Sequence, residues 1–155
     1  MKKIAVFPGS FDPFTKGHEN IISRSLDLFD KIVIAIGSHS QKRNLFPLNK
    51  RLAMISDLYE NEPRVEVDYY DGLTIDYCEK IGAGYLLRGL RTSADFEYER
   101  AIAQVNRKMN NKVETVFLLT VPELTPVNST IVREILRHDG DVTQFLPEGM
   151  DLNKY

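Results

Sequence analysis

Short runs of apolar residues alternate along the chain with longer stretches in which apolar residues recur at helical spacing. This alternation is typical of a parallel β-sheet whose strands are joined by helices. The apolar runs predict five strands, at residues 3–7, 31–36, 65–69, 85–87 and 115–119. We therefore expect a single α/β domain over residues 1–155, with a five-stranded parallel sheet and helices on both faces.

The stretches between the predicted strands have apolar residues three or four positions apart, as on one face of a helix. These faces comprise Ile21, Ile22, Leu26 and Phe29, then Leu48, Leu52, Ile55 and Tyr59, then Tyr98, Ile102, Val105 and Met109. The last helix is predicted to begin at Asn128 or Ser129, both good N-caps, and to end near Gly140. We expect all of these apolar faces to pack into the core.

The predicted topology brings five loops to one edge of the sheet. In a sheet built from right-handed β-α-β units, every strand-to-helix loop emerges at the carboxyl ends of the strands, where ligands of open α/β sheets bind. The loops in question cover residues 8–18, 37–47, 70–74, 88–93 and 120–129. Four of them carry residues suited to phosphate chemistry, which predicts a phosphate-binding site at this edge.

Composition and charge narrow the class of protein. The formal net charge is −2, with 27% charged residues, which argues against a dedicated nucleic-acid binder. The lone Cys78 excludes an internal disulfide, suits a reducing compartment and is predicted to be a small buried residue. The apolar run after the basic N-terminus ends at Pro8, so it predicts a strand and not a signal peptide. We expect a cytoplasmic protein that binds neither nucleic acid nor membrane.

The first loop carries Gly9-Ser10-Phe11-Asp12-Pro13 and then Gly17-His18, at the predicted start of a helix. A helix start supplies unpaired N–H groups and the positive end of a dipole, which together favour phosphate binding. The dipole should keep His18 neutral, and a neutral imidazole can still donate one hydrogen bond to a phosphate oxygen. A Gly-His pair alone is more typical of a tight strand–turn–helix junction. The chain has neither a Walker P-loop nor a dinucleotide-binding G-x-G-x-x-G motif.

Other loops add cations and hydroxyls. Arg88-Gly89-Leu90-Arg91 can grip phosphate oxygens in bidentate fashion, although two arginines are also common on a protein surface. Lys42 could close over a phosphate or belong to an ordinary hydrophilic loop. Glu99 could orient an arginine or accept from a ribose hydroxyl. Ser129 and Thr130 are either caps or phosphate ligands, and capping is the commoner role.

The first-loop motif resembles that of the nucleotidylyltransferase superfamily, whose members carry H-x-G-H or T-x-G-H, here Thr15-Lys16-Gly17-His18. The absence of the first histidine separates the chain from most cytidylyltransferases and nicotinate-mononucleotide adenylyltransferases. The R-G-L-R segment, the following A-D-F-E-Y-E at 94–99 and G-D-V-T at 140–143 resemble the bacterial phosphopantetheine adenylyltransferases over residues 4–147. The chain departs from that family at 124–128, before the last helix.

This resemblance implies a Rossmann-like domain that transfers AMP from ATP to 4′-phosphopantetheine, giving dephospho-coenzyme A and pyrophosphate. It implies Mg2+ as cofactor, a homohexamer and feedback inhibition by coenzyme A. The acceptor phosphate has a second pKa of about 6, so direct in-line attack on the α-phosphorus needs no general base and no covalent intermediate. Phosphate oxygens would hold the magnesium, and we assign no protein residue as a metal ligand.

The resemblance also implies roles for individual residues. The catalytic group is His18, Ser10, Lys42 and Arg91, with His18 stabilising the pentavalent α-phosphate. The ATP contacts are Ser10, Phe11, Gly17, His18, Gly89, Leu90, Arg91, Glu99, Leu124, Asn128, Ser129 and Thr130. The phosphopantetheine contacts are Ser10, Lys42, Thr74, Arg88 and Asn106.

Three alternatives remain open at this point. A different nucleotidylyltransferase would use CTP or a nicotinate mononucleotide acceptor. A nucleotide-binding sensor would keep the fold and have lost the chemistry. A protein-interaction module would leave the polar residues at one sheet edge unexplained.

Overall fold

The structure is a computed structural model that describes residues 1–38 and 43–155. Along these residues five strands alternate with five helices. The strands are β1 (Ile4–Gly9), β2 (Lys31–Gly37), β3 (Val65–Tyr70), β4 (Tyr85–Leu90) and β5 (Glu114–Leu119). The helices are α1 (Lys16–Ser25), α2 (Leu48–Leu58), α3 (Thr74–Ile81), α4 (Ser93–Met109) and α5 (Ser129–Arg137). Short 3₁₀ turns lie at Pro122–Leu124, Thr143–Phe145 and Leu152–Lys154.

All neighbouring strands pair in parallel, in the order β3-β2-β1-β4-β5. The predicted five-stranded parallel sheet is therefore confirmed. The chain reverses its direction of winding between β1 and β4, which creates the crevice at which open α/β sheets bind ligands.

Helices cover both faces of the sheet, as predicted. On one face, Ile22 of α1 and Ile55 of α2 pack into a cluster with alternate residues of the strands, including Ile34 and Leu87. On the other face, residues of α3 pack with the intervening strand positions, among them Ile75, Cys78, Val6 and Leu86. The prediction that Cys78 is a small buried residue is confirmed.

Several boundaries differ from the sequence prediction, among them the ends of β4 and α1. Strand β4 extends to Leu90, so Arg88 and Gly89 lie within the strand and not in the loop after it. Pairing with β5 continues as far as Leu90 and Leu119, and this long-range partner extends the strand. Helix α1 ends at Ser25, whose carbonyl accepts the amides of Leu28 and Phe29 in a tight turn that leads into β2.

The expectation that Tyr98, Ile102, Val105 and Met109 form core is wrong. They lie on α4, and their exposed fractions in the single chain range from 39% to 70%. Helical spacing shows that four residues share a face, but it does not show what covers that face. One contact between α4 and the sheet comes from the partly exposed Phe96, whose ring lies 6.1 Å from that of Phe117.

The start of the last helix agrees with the prediction. Asn128 is the N-cap of α5, and its Oδ1 accepts the amide of Ile131 at 2.9 Å. The helix ends at Arg137, three residues before Gly140. Within the described residues, no helix has both the length and the apolar character that crossing a bilayer would require.

Candidate active site

A cavity of about 570 Å³ opens at the carboxyl edge of the sheet, where β1 and β4 are neighbours. Its walls come from the loop after β1, the end of β4, and the first turns of α1, α4 and α5. Most residues predicted for the site line this larger cavity: Ser10, Phe11, Gly17, His18, Arg88, Gly89, Arg91, Glu99, Asn128, Ser129 and Thr130. The fold thus brings together segments that are more than a hundred residues apart in sequence.

A second cavity of about 340 Å³ adjoins the first. The two share a wall whose members include Ser10, Arg88 and Glu99. Beyond that wall the smaller cavity is lined by residues of mixed character, including Tyr70, Thr74, Ile102, Ala103 and Asn106. Thr74 and Asn106, which the sequence assigned to phosphopantetheine and not to ATP, therefore lie apart from the nucleotide-binding candidates.

Local geometry explains the aromatic residues of the first loop. Phe11 adopts a positive φ of 47°, which folds its ring back over Gly9. A Cβ at position 9 would lie 3.0 Å from that ring, so the glycine permits the close approach. The rings of Phe11 and Phe14 lie 5.0 and 5.2 Å from the imidazole of His18. The loop therefore places apolar ring surface against His18.

Hydrogen bonding determines which nitrogen of His18 carries the proton. The backbone amide of Thr15 donates to Nδ1 at 2.9 Å, so Nδ1 acts as an acceptor. A neutral imidazole with an acceptor Nδ1 must carry its proton on Nε2. His18 lines the larger cavity, and within the described residues Nε2 has no hydrogen-bond partner in the protein. The Nε2–H group is therefore available as a donor to a ligand oxygen.

The predicted neutral state of His18 is confirmed, but for a different reason. Burial, together with the positive charges of Arg88 and Arg91, lowers the pKa of His18 to about 3. Desolvation of the charged ring is the largest cause, so the helix dipole invoked from the sequence is not needed. Both arginines therefore favour the neutral form of the ring.

Arg88 is held in one orientation by two elements. Its Nε and Nη2 donate to the carboxylate of Glu99, at 3.0 and 2.5 Å, and its Nη1 donates to the Pro8 carbonyl at 2.7 Å. Glu99 lies on α4 and is buried. Of the two roles that the sequence offered for Glu99, the geometry favours orientation of an arginine.

Two further arginines line the larger cavity. Arg91 pairs with Asp95, its Nε lying 3.3 Å from a carboxylate oxygen. Arg133 donates from Nη1 to the Asp12 carbonyl at 3.0 Å and from Nη2 to Thr130 Oγ1 at 3.2 Å. We assigned Arg133 no role from the sequence, although its spacing of four from Ser129 places both on one face of α5.

At the N-terminus of α5, Asn128 caps the helix, and Ser129 and Thr130 line the larger cavity. Because Asn128 is the cap, the hydroxyls of Ser129 and Thr130 are not needed for that purpose. Ser129 Oγ donates to the Pro13 carbonyl at 2.8 Å, which ties α5 to the first loop.

Three predicted residues are not part of the described cavity wall. Leu90 is buried, and its carbonyl accepts the amide of Thr120. Leu124 lies in a 3₁₀ turn and lines a shallow depression with Lys16 and Tyr59, outside both cavities. Lys42 lies outside the described residues.

Comparison with solved structures agrees with the observed fold. The bifunctional NMN adenylyltransferase/ADP ribose pyrophosphatase of Francisella tularensis matches 94% of this chain with a TM-score of 0.70 and 20% sequence identity. This chain spans 45% of that longer protein, so the similarity concerns one part of it and shows a shared nucleotidyltransferase Rossmann-like fold.

Sequence comparison is more specific. Residues 6–135 match the model of the Cytidylyltransferase-like family. The phosphopantetheine adenylyltransferase of Bacteroides thetaiotaomicron is 50% identical over 149 residues, covering 96% of this chain and 98% of that protein. That of Caldanaerobacter subterraneus is 42% identical, covering 94% and 91%. With the cavities at the β1–β4 crevice, these matches show that the chain belongs to the phosphopantetheine adenylyltransferase family of nucleotidyltransferase enzymes.

Proposed function

We propose that this enzyme transfers the adenylyl group of ATP to 4′-phosphopantetheine, giving dephospho-coenzyme A and pyrophosphate. The observation that supports this reaction best is the pair of adjoining cavities, which share a wall that includes Ser10 and Arg88. Two substrates bound in the two cavities would meet at this wall. His18 lies in the larger cavity, beside the meeting point.

The character of each cavity fits one substrate. The larger cavity contains Arg88, Arg91 and Arg133, of which the first two are paired with carboxylates and Arg133 is in no ion pair within the described chain. Such a surplus of arginine suits a triphosphate. The smaller cavity combines the apolar Ile102 with the polar Thr74 and Asn106. That combination suits a pantetheine arm, which carries amides and a hydroxyl on an aliphatic backbone.

The arrangement supports a direct in-line transfer. The acceptor phosphate has a second pKa of about 6 and is already ionised at neutral pH, so it attacks without a general base. The described carboxylates of the larger cavity, Asp95 and Glu99, are bonded to arginines and are poorly placed to act as base or nucleophile. Attack from the smaller cavity would expel pyrophosphate towards Arg91 and Thr130.

Each site residue takes a physical role in this scheme. The Nε2–H of His18 donates to the α-phosphate oxygen on which negative charge develops. Ser10 and Arg88, at the shared wall, hold the attacking phosphate, and we retain Lys42 in that role from the sequence. Gly89 lines the larger cavity and is retained as an ATP contact, and its lack of a Cβ permits Ile21 of α1 to pack closely, since a Cβ there would lie 3.1 Å from Ile21. The remaining lining residues, Phe11, Gly17, Arg91, Asn128, Ser129 and Thr130, contact the nucleotide.

Magnesium enters this scheme as part of the MgATP substrate. Within the described residues no three His, Cys, Asp or Glu side chains are grouped so that they could hold a metal ion. The donors in the larger cavity are mostly cationic or hydroxyl groups, which suit phosphate oxygens and not a divalent cation. Bound to ATP, the metal would neutralise charge on the triphosphate.

Coenzyme A is proposed as a feedback inhibitor because it carries the same pantetheine arm as the acceptor. It would occupy the smaller cavity and place its nucleotide portion in the larger one. Inhibition by competition with both substrates follows from that overlap.

The exposed apolar face of α4 supports association between copies of the chain, and we propose the homohexamer that the family resemblance implies. Val105 and Met109 are exposed by 56% and 50% in the single chain. A contiguous apolar surface of this kind marks an interaction site in a soluble protein. Tyr98 and Ile102 of the same face also line the smaller cavity, so a neighbouring copy would complete its rim.

The reaction is tested by release of pyrophosphate from purified protein with magnesium, ATP and 4′-phosphopantetheine. We expect release that depends on phosphopantetheine, with dephospho-coenzyme A as the product. Parallel reactions replace the acceptor with nicotinate mononucleotide, or use CTP with glycerol 3-phosphate. Release confined to a parallel reaction would contradict the acceptor, and ATP binding without release in any of them would favour a sensor.

The role of His18 predicts a loss of turnover in His18→Ala. We expect kcat to fall on the order of 10²-fold or more, because a preorganised donor to the transition state is lost. The dissociation constant of ATP, measured by calorimetry, should change much less. His138→Ala is the matched control, since His138 is exposed and contacts only Glu134 among the described residues. Unchanged turnover in His18→Ala would contradict the assignment.

The neutral state of the half-buried His18 predicts a pH dependence of stability. The folded-state pKa, about 3, lies below the unfolded value of 6.5, so protons bind the unfolded chain first. Stability from this group is therefore lost as pH falls below 6.5 towards 3. Between pH 7 and 4.5, wild type should lose on the order of 2 kcal/mol more than His18→Gln in urea unfolding. His138→Gln should behave as wild type, and equal losses in all three proteins would refute the prediction.

The proposed assembly predicts a mass by light scattering of about six times the 17.8 kDa of one chain. Val105→Glu should lower that mass, because a charge would be buried at the interface. Leu28→Glu, at a 48% exposed leucine outside α4, should leave it unchanged. A monomeric wild-type protein would rule out the assembly.

A further inference from the structure

Two buried charged residues connect the loop after β1 to the segment that leads into α2. Asp12 is 2% exposed and Arg51 is 3% exposed, and neither lines the larger or the smaller cavity. Burial of a charge is costly unless its hydrogen-bonding groups are satisfied. The hydrogen bonds that these two residues make therefore indicate their structural role.

Asp12 bonds to the backbone of the second segment. Its Oδ2 accepts the amide of Leu45 at 2.8 Å, and its Oδ1 accepts the amide of Phe46 at 2.9 Å. Both carboxylate oxygens are thus used within one short stretch, thirty-three and thirty-four positions away in sequence. The aspartate of the first-loop motif joins two loops and does not face a ligand.

Arg51 makes the reciprocal connection from α2. Its Nε donates to the Phe46 carbonyl at 2.9 Å, and its Nη1 donates to the Ser10 carbonyl at 2.7 Å. Burial lowers the pKa of Arg51, and the negative charge of Asp12 acts in the opposite direction. A single planar guanidinium therefore holds two carbonyl oxygens, one of which belongs to a residue at the wall between the cavities.

We propose that Arg51 and Asp12 are positioning residues for the transfer: together they fix Ser10 against the segment before α2, and so align the acceptor phosphate with His18. The proposal rests on the proposed function. It follows from the contacts because neither charge reaches a cavity, while Arg51 holds the carbonyl of Ser10, a residue of the shared wall, and Asp12 holds the segment to which Arg51 also bonds. A displacement of about 1 Å in such a positioning element can cost on the order of 10²-fold in rate.

Arg51→Met tests the two hydrogen bonds that Arg51 donates to the Phe46 and Ser10 carbonyls, because methionine fills a similar volume and cannot donate to either carbonyl. We expect kcat to fall at least 30-fold, with the dissociation constant of ATP changed less than 3-fold. Asp12→Asn should likewise lower kcat and leave the dissociation constant of ATP little changed. Both Asp12 oxygens accept backbone amides, so the side-chain NH2 group of asparagine would face an N–H donor. Wild-type kcat in Arg51→Met would overturn the proposal.

Ile55→Ala is the matched control for a loss of stability alone. Ile55 lies one turn after Arg51 on α2 and is fully buried in the core. We expect its melting temperature to fall while kcat stays within 3-fold of wild type, at a temperature where all variants are folded. If kcat in Arg51→Met falls no further than in Ile55→Ala, the role is structural only and the proposal fails.

Arg51→Lys distinguishes the effect of the two hydrogen bonds of Arg51 from the effect of its positive charge. Lysine keeps the positive charge, but its single nitrogen does not reproduce the fork that reaches both carbonyls. We expect kcat to remain at least 10-fold below wild type. Full recovery would show that charge alone is needed, which would also overturn the proposal.

Amide hydrogen exchange measures the coupling without any substrate. The amides of Leu45 and Phe46 should exchange at least 10-fold faster in Arg51→Met than in Ile55→Ala. If these amides exchange faster in Arg51→Met but the wild-type protein has no activity on phosphopantetheine, the proposed function is refuted. The structural coupling of the two loops through Arg51 would still be supported. If the wild-type enzyme is active but these amides exchange no faster in Arg51→Met, the coupling of the loops through Arg51 is refuted and the proposed function is not affected.

Discussion

The guanidinium of Arg88 is the point at which the elements of the site are joined. It bonds to the Pro8 carbonyl at the end of β1 and to the carboxylate of Glu99 on α4, while its own backbone belongs to β4. These bonds hold β1, β4 and α4 together at the crevice where the sheet reverses its winding. Because Arg88 and Glu99 line both cavities, these bonds also fix part of the wall between them.

The electrostatics of the site follow from the same arrangement. Arg88 and Arg91 are each matched by one carboxylate, and Arg133 adds a further positive charge at the same cavity. In this potential, and against the rings of the first loop, His18 is neutral. A neutral donor beside cations can stabilise charge that develops on a phosphate without adding a group that must itself change protonation. The site therefore acts by orienting the two substrates and by stabilising the charge that develops on the transferred phosphate, which are the two effects that transfer between phosphates requires.

Helix α4 links the chemistry of the site to the surface of the molecule. Its first turns carry Glu99, which orients Arg88, and its exposed face carries Tyr98 and Ile102, which line the smaller cavity. The apolar face of α4 is thus continuous with the proposed acceptor site. Any partner that covers this face would also touch the rim of that site, so assembly and substrate binding share one helix.

The amino-acid sequence by itself determined the alternation of strands and helices, the parallel sheet and the edge at which the loops gather. Local periodicity and the handedness of β-α-β connections are sufficient for these features. The same reasoning placed His18, Arg91, Ser129 and Thr130 at one site, since each follows a strand or begins a helix.

Only the tertiary structure decided the features that depend on partners distant in sequence. Pairing with β5 extended β4 through Arg88, and the edge position of α4 left Val105 uncovered. Arg133 and Arg51 carry no local signal, because their roles come from carbonyls of Asp12 and Ser10 on another loop. A helical pattern specifies which residues share a face, but what lies against that face is set by contacts across the fold.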